Sequence, residues 1–270
     1  MSESSPAPGA VPEPALGPAS GAALGPASGA ALGPASGAAL GPASGAALGP
    51  APRAAGGAET VAVARFLNAT RAEGPGERTA VWVQGCAIRC PGCFNPHLWS
   101  FRGGERVAPA DLVRRVLDAG TEGLTLLGGE PFDQAAPLAT VAAGVRAAGR
   151  SVMTFTGYTR AQLDRAVDAG RDDVAALLAT TDLLVAGPFL ADRLDTRRPW
   201  VGSTNQEFVL LGDRFPDLLD AVSRSPDRVE VTVDAAGGIA VNGWAEADAL
   251  DELLASVARP QPRRASFERR

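Results

Sequence analysis

Lysine is absent from this chain of 270 residues, so all 25 of its basic side chains are arginines. The chain therefore cannot form a Schiff base on a side-chain amine, and it cannot hold a phosphate with a Walker-type lysine. It has one histidine, His97, and one tyrosine, Tyr158. Mechanisms that need several such groups for general acid–base catalysis are therefore excluded as well.

Positive charge and long apolar runs are also lacking. The formal net charge is −5, which argues against a nucleic acid or an acidic membrane as the partner. No signal-peptide pattern and no apolar run of about 18 residues occurs, so we expect no membrane association. The three cysteines lie within eight residues, too close for a disulfide framework. We therefore expect a reducing, cytoplasmic location.

The first fifth of the chain is a repeat of low complexity. The octapeptide ALGPASGA occurs four times without change from Ala15, and a truncated copy ends near Pro52. A segment of Ala, Gly, Pro and Ser buries too little apolar surface to offset the entropy of ordering its backbone. We predict a disordered tail over residues 1–57, a folded domain over 58–260 and a disordered C-terminus over 261–270.

Strand-like and helix-like patterns alternate along the rest of the chain. Strands are predicted over residues 79–85, 123–127, 151–155, 182–185 and 208–211, with a hairpin formed by 229–233 and 238–241. Helices are predicted over 109–119, 134–148, 159–169, 172–179 and 213–223, and a last one spans 250–257. Such alternation implies an α/β fold of parallel βαβ units, with ligands gathered at the carboxyl ends of the strands.

The most informative motif is CAIRCPGC, which follows the first of these predicted strands. Cys86, Cys90 and Cys93 have the spacing C-x3-C-x2-C, and thiolates are the preferred ligands of iron–sulfur clusters. Three protein ligands leave one iron of a [4Fe–4S] cluster open for chemistry. Two other interpretations fit the spacing: a structural zinc held by the three cysteines and His97, or free thiols in a core.

A second motif, Gly128-Gly129-Glu130-Pro131, follows the next predicted parallel strand and should lie beside the cysteine loop. Glycines let a ligand approach the backbone, and a carboxylate can accept hydrogen bonds from an ammonium group. Alone, this sequence is typical of a turn. Its place one βα unit after the cysteines favours a cofactor site.

Five segments in this order resemble radical S-adenosylmethionine (SAM) enzymes, and most closely the activating enzymes of glycyl radical enzymes such as the anaerobic ribonucleotide reductase. They are GPG-x-R at residues 74–78, QGC…CPGC-x-NP at 84–96, TGY at 156–158, DLLV-x-GPF at 182–189 and GSTNQ at 202–206. The order and spacing of five segments are far more specific than any one of them.

The resemblance implies a radical SAM domain over residues 58–260, folded as a partial, open (β/α) barrel. It implies one [4Fe–4S] cluster per chain with Cys86, Cys90 and Cys93 as ligands, and SAM as the second cofactor. No catalytic residue beyond the cluster ligands is expected. The residues expected to bind SAM are Gly92, Phe94, Gly128, Gly129, Glu130 and Pro131, with Gly129 and Glu130 holding its amino group.

The resemblance also implies a reaction: the reduced cluster cleaves SAM to a 5′-deoxyadenosyl radical, which abstracts hydrogen from a glycine of a partner enzyme. The implied partners are an anaerobic ribonucleotide reductase and a flavodoxin- or ferredoxin-type electron donor. Ile88 and Arg89, Ala186 and Val201 depart from the family pattern at positions that bear on partner recognition. Two alternatives remain: a radical SAM enzyme that acts on a small molecule or peptide, and a non-catalytic zinc-binding module.

Overall fold

A computed structural model of the chain describes residues 48, 60–218, 222, 229–233, 239–243, 252 and 255. Apart from the isolated positions 48, 252 and 255, the predicted tail over 1–57, the predicted last helix over 250–257 and the predicted C-terminus over 261–270 lie outside the described residues. The helix predicted over 213–223 lies only partly inside them. Within the described ranges, no helix combines the length and the apolar character needed to cross a bilayer.

Seven strands form one mixed sheet in the order β3-β1-β2-β4-β5-β6-β7. They are β1 (Val61–Thr70), β2 (Arg78–Val83), β3 (Glu105–Val107), β4 (Gly123–Gly128), β5 (Ser151–Thr156), β6 (Leu183–Ala186) and β7 (Glu207–Leu210). The four central strands β2, β4, β5 and β6 are parallel. β1 pairs antiparallel with β2 and β3, and β7 pairs antiparallel with β6.

Four helices connect these strands: α1 (Pro109–Asp118), α2 (Ala135–Ala147), α3 (Arg160–Asp168) and α4 (Asp172–Ala179). Their apolar side chains form one core with the strand residues of one sheet face, among them Val81 and Leu126. The alternate strand positions, such as Trp82 and Leu127, belong to a separate cluster and line a cavity. The sheet thus has one helix-covered face and one face that lines a cavity, as the predicted open barrel requires.

The predicted parallel units were confirmed for the centre of the sheet and were wrong for its margins. Every predicted strand and helix inside the described residues is present within two residues of its expected bounds. The strands β1 and β3 were not predicted, and β7 runs antiparallel. Arg65 and Asn68 interrupt the apolar pattern of β1, so that pattern did not predict a strand there.

The predicted hairpin consists of β8 (Val229–Val233) and β9 (Ile239–Gly243), which pair antiparallel. It is attached to the end of β1. The Glu230 carboxylate accepts hydrogen bonds from the Thr70 hydroxyl and from the Arg71 amide, the latter at 2.7 Å. The Asn242 amide donates to the Thr70 hydroxyl at 2.8 Å. These bonds hold the hairpin where it lines one side of the cavity.

Arg78, from the GPG-x-R segment, is a structural residue at the amino ends of the parallel strands, whereas the cysteines follow a carboxyl end. Its side chain is fully buried, and burial lowers the pKa of its guanidinium to about 10. It donates to the Thr125 hydroxyl at 2.7 Å, to the Leu124 carbonyl at 2.6 Å and to the Ser151 hydroxyl at 2.9 Å. One side chain therefore ties the amino ends of β2, β4 and β5 together.

We expect Arg78→Lys to lower the free energy of unfolding by about 2 kcal/mol, because an ammonium cannot reach all these acceptors and leaves buried ones unpaired. Urea denaturation followed by circular dichroism measures the change. Arg114→Lys is the matched control, since the Arg114 side chain is 70% exposed and should change stability by less than about 0.5 kcal/mol. Equal stability of the two variants would contradict the structural role of Arg78.

Candidate functional site

The three cysteines lie in the loop that follows β2, at the carboxyl edge of the parallel strands. Cys86 is buried and the other two are partly buried. All three line one cavity of about 390 Å³, which is in the range of small-molecule and cofactor sites. The same cavity is lined by Phe94 and by the Gly128-Gly129-Glu130-Pro131 turn after β4. The structure therefore brings the two sequence motifs together.

Backbone amides act on all three cysteines. Asn95 N lies 3.4 Å from the Cys93 Sγ. The backbone amides of Ile88 and Arg89 act to lower the pKa of the Cys86 thiol, and the Phe189 amide acts to lower the pKa of the Cys90 thiol. Hydrogen bonds of this kind stabilise thiolates and tune iron–sulfur clusters.

Burial is the largest influence on the pKa values of the Cys86 and Cys90 thiols when no metal is bound. It raises the pKa of Cys86 to about 12, and it also raises the pKa of Cys90, although the amide hydrogen bonds partly oppose both shifts. These thiols are therefore protonated at neutral pH in the metal-free protein. Metal binding must release their protons, as is general for thiolate sites.

The donor set fits a cluster better than a structural zinc. Cys86, Cys90 and Cys93 all line one cavity, and thiolates are the preferred ligands of iron–sulfur clusters. His97, the fourth ligand in the zinc interpretation, is exposed and does not line the cavity. The residues present therefore fit a [4Fe–4S] cluster.

The glycine-rich turn after β4 lies directly against the start of the cysteine loop. Gly129 N donates to the Val83 carbonyl and Glu130 N donates to the Gly85 carbonyl, each at 2.8 Å. A Cβ atom on Gly129 would lie only 2.1 Å from the Gly85 oxygen. Glycine is required at this position because two backbone segments meet there.

The Glu130 side chain joins this turn to the TGY segment after β5. It accepts hydrogen bonds at 2.9 Å from Phe132 N, the Thr156 hydroxyl and Gly157 N. The residue is 1% exposed, and burial raises the pKa of its carboxyl to about 8 despite these donors. A carboxylate has about four acceptor positions, and these donors occupy three of them.

The GSTNQ segment holds the GPF segment in place, a role that its sequence did not disclose. Gln206 accepts from Gly202 N at 2.8 Å and donates to the Gly187 carbonyl at 3.2 Å. Asn205 donates to the Pro188 carbonyl at 2.7 Å. The next residue, Phe189, lines the same cavity as Cys90, so GSTNQ supports a segment that borders the cysteine loop.

Most of the residues expected to bind SAM meet in the cavity. Phe94, Gly128, Gly129, Glu130 and Pro131 line it, whereas Gly92 lies in an exposed turn outside the lining. Sequence reasoning missed the inward-facing strand residues Trp82, Leu127 and Phe155. Alternation along each strand was the signal that could have found them, because successive strand residues face opposite sides of a sheet.

The part of the chain that contains this site is similar to known proteins. The family described as "4Fe-4S single cluster domain" matches residues 72–209, about half of the chain. The anaerobic ribonucleoside-triphosphate reductase-activating protein of Vibrio cholerae is 33% identical over 142 residues, which cover 49% of this chain and 87% of that protein. The protein of the same name from Escherichia coli K12 is 32% identical over 142 residues and is covered to 88%.

A shorter match extends the similarity to a second kind of activating enzyme. The pyruvate formate-lyase-activating enzyme of Clostridium pasteurianum is 39% identical over 64 residues, which cover 22% of this chain and 27% of that protein. The matches to reductase-activating proteins and to this enzyme confirm that the chain resembles activating enzymes, as its five motifs predicted. The chain belongs to the 4Fe-4S single cluster domain family and is a radical SAM enzyme of the activating-enzyme type.

Proposed function

We propose that this enzyme cleaves SAM at a [4Fe–4S] cluster bound by Cys86, Cys90 and Cys93 and installs a glycyl radical on an anaerobic ribonucleotide reductase-like partner. The observation that carries the proposal is the meeting of the three cysteines with Gly129 and Glu130 in one cavity. The names of the relatives, which are activating proteins, support a glycyl radical enzyme as the partner. A flavodoxin- or ferredoxin-type protein would supply the electron.

Cys86, Cys90 and Cys93 would hold the cluster, which in its reduced form would supply the electron for cleaving the S–C5′ bond of SAM to methionine and a radical able to take hydrogen from a glycine Cα. The chain's own residues position the reactants. Glu130 would receive the ammonium of SAM at its remaining acceptor position, and the small Gly128 and Gly129 leave room for this approach. Phe94, which is 55% exposed, would lie against the adenosyl group.

The concave face of the sheet would protect the reaction from water. Trp82, Leu127 and Phe155 line the cavity from β2, β4 and β5, and Val229 and Val241 line it from the hairpin. Apolar walls of this kind limit side reactions of a reactive intermediate. No general base is needed for hydrogen abstraction, which agrees with the shortage of histidine and the lack of lysine.

The partner assignment can be tested by electron paramagnetic resonance (EPR) after mixing the reduced enzyme and SAM with a candidate substrate. We expect a glycyl radical signal with an anaerobic ribonucleoside-triphosphate reductase, and a weaker one or none with pyruvate formate-lyase. A signal with neither protein, while SAM is still cleaved, would favour a small-molecule or peptide substrate. The radical SAM chemistry would then stand, but the proposed partner would be wrong.

We expect the affinity for SAM to rise with pH. Burial raises the pKa of Glu130 to about 8, so below that pH an ammonium must bind to a protonated, neutral carboxyl or displace its proton. The dissociation constant should therefore fall by up to about tenfold per pH unit as the pH rises from 6 to about 7.5, a range in which the α-ammonium of SAM is still largely charged. Isothermal titration calorimetry measures this dependence, and Glu130→Gln is the control that should remove it. A constant affinity over this range in the wild type would rule out the proposed ammonium contact.

A further inference from the structure

Asp133 lies two residues after the Gly128-Gly129-Glu130-Pro131 motif and connects three segments that surround the cavity. It lies in the short 3-10 helix Pro131–Gln134 that follows the glycine-rich turn. Its Oδ2 accepts a hydrogen bond from Ala87 N at 2.7 Å. Its Oδ1 accepts from the Tyr158 hydroxyl at 3.2 Å. One carboxylate therefore joins the cysteine loop, the GGEP turn and the TGY turn.

The bond to Ala87 lies directly beside the first cysteine of the loop. Ala87 directly follows Cys86, and residues 84–95 contain no helix or strand that would fix their backbone. At the two ends of this loop, Gly85 N bonds to the Leu98 carbonyl at 2.8 Å and Cys93 N bonds to the Cys90 carbonyl at 3.1 Å. Asp133 holds the stretch between Cys86 and Cys90 from outside the loop.

A packing contact reinforces this attachment from the same side. The Ile88 side chain lies so close to Gly157 that a Cβ on the glycine would be 2.7 Å from Ile88 Cδ1. Tyr158, the next residue, is 1% exposed, and its hydroxyl donates to Asp133. The loop is thus fixed to the TGY turn by one polar link and one apolar contact.

We propose that Asp133 is a positioning residue that sets the geometry of the cluster loop relative to the SAM-binding turn. This inference rests on the proposed function. The hydrogen bonds of Asp133 go to Ala87 N and the Tyr158 hydroxyl and to none of the three cysteine sulfurs, so it acts through the peptide after Cys86. Residues that orient metal ligands in this way are worth about 10- to 100-fold in metal affinity or activity when removed.

The test compares Asp133→Ala with Asp133→Asn. Alanine removes both hydrogen bonds. Asparagine keeps both, because its oxygen can accept from Ala87 N while its NH₂ donates to the Tyr158 oxygen. After anaerobic reconstitution we expect Asp133→Ala to show an altered EPR spectrum of the reduced cluster, a weaker spectral change on addition of SAM, and about 10- to 100-fold slower formation of 5′-deoxyadenosine. We expect Asp133→Asn to restore the spectrum and the SAM response.

Thr159→Ala separates positioning from general loss of stability. Thr159 caps α3 next to Tyr158 through a bond to Gln162 N, and its removal should cost about 1 kcal/mol without touching the loop. The melting temperature of Thr159→Ala should be comparable to that of Asp133→Ala. Its EPR spectrum, in contrast, should match that of the wild type. Two results would overturn the inference: a wild-type spectrum and rate in Asp133→Ala, or the same spectral change in Thr159→Ala. Wild-type protein that binds no cluster or cleaves no SAM would instead reject the proposed function.

Discussion

Replacing Cys90 by alanine is expected to abolish SAM cleavage and to leave the purified protein without an intact [4Fe–4S] cluster. Cys90 lies between the other two proposed ligands in the loop and lines the same cavity as they do. The described residues contain no further cysteine that could replace it. Iron and sulfide analysis together with the absorption spectrum under anaerobic conditions measures the loss.

His97→Ala is the control that distinguishes the cluster from a zinc site. His97 is exposed, so we expect this variant to keep its iron, its sulfide and its rate of 5′-deoxyadenosine formation. If His97→Ala and Cys90→Ala both lost one bound metal ion per chain, a Cys3His zinc site would be the better interpretation. The two variants together therefore decide between the alternatives left open by the spacing of the cysteines.

A single methyl group on Gly129 is expected to have the largest effect on the architecture of the site. The added Cβ would lie 2.1 Å from the Gly85 oxygen and 2.9 Å from the Val83 oxygen. Both are backbone atoms that hold the ends of β2 and β4 together, so neither can move aside cheaply. We expect Gly129→Ala to cost about 3 kcal/mol or more in unfolding free energy and to prevent SAM binding. Chemical denaturation and calorimetry measure the two effects.

Gly120→Ala is the matched control for that substitution. Gly120 has a positive φ of 72°, but an added Cβ would meet nothing within 4 Å. Its replacement should cost about 1 kcal/mol through backbone strain alone and should leave SAM binding unchanged. If Gly129→Ala were no more destabilised than Gly120→Ala and still bound SAM, the close contact between the two loops would be disproved.

Sequence reasoning found the parts of this fold that repeat a simple pattern. The strand of residues 79–85 and the helix of 109–119 were predictable because their apolar residues follow the periods of a strand and a helix. The adjacency of the cysteine loop and the GGEP turn followed from the rule that neighbouring parallel strands end at the same edge. The register confirms it, since Trp82 pairs with Leu127 and Val83 with Gly128.

What the sequence could not disclose depends on contacts between distant segments. Asp133 looks like an ordinary residue at the start of a helix until Ala87 N and the Tyr158 hydroxyl are seen on its two oxygens. Gln206 likewise acquires a role only from its bonds to Gly202 and Gly187. Side-chain to backbone hydrogen bonds across 46 or 19 positions leave no periodic trace in one sequence.

The most direct test of the central claim is an assay for 5′-deoxyadenosine after anaerobic purification, reduction with dithionite and addition of SAM. We predict a brown protein with iron and sulfide that forms 5′-deoxyadenosine and methionine in equal amounts, and no product from Cys90→Ala. A colourless protein that carries one zinc per chain and forms no 5′-deoxyadenosine would contradict the claim.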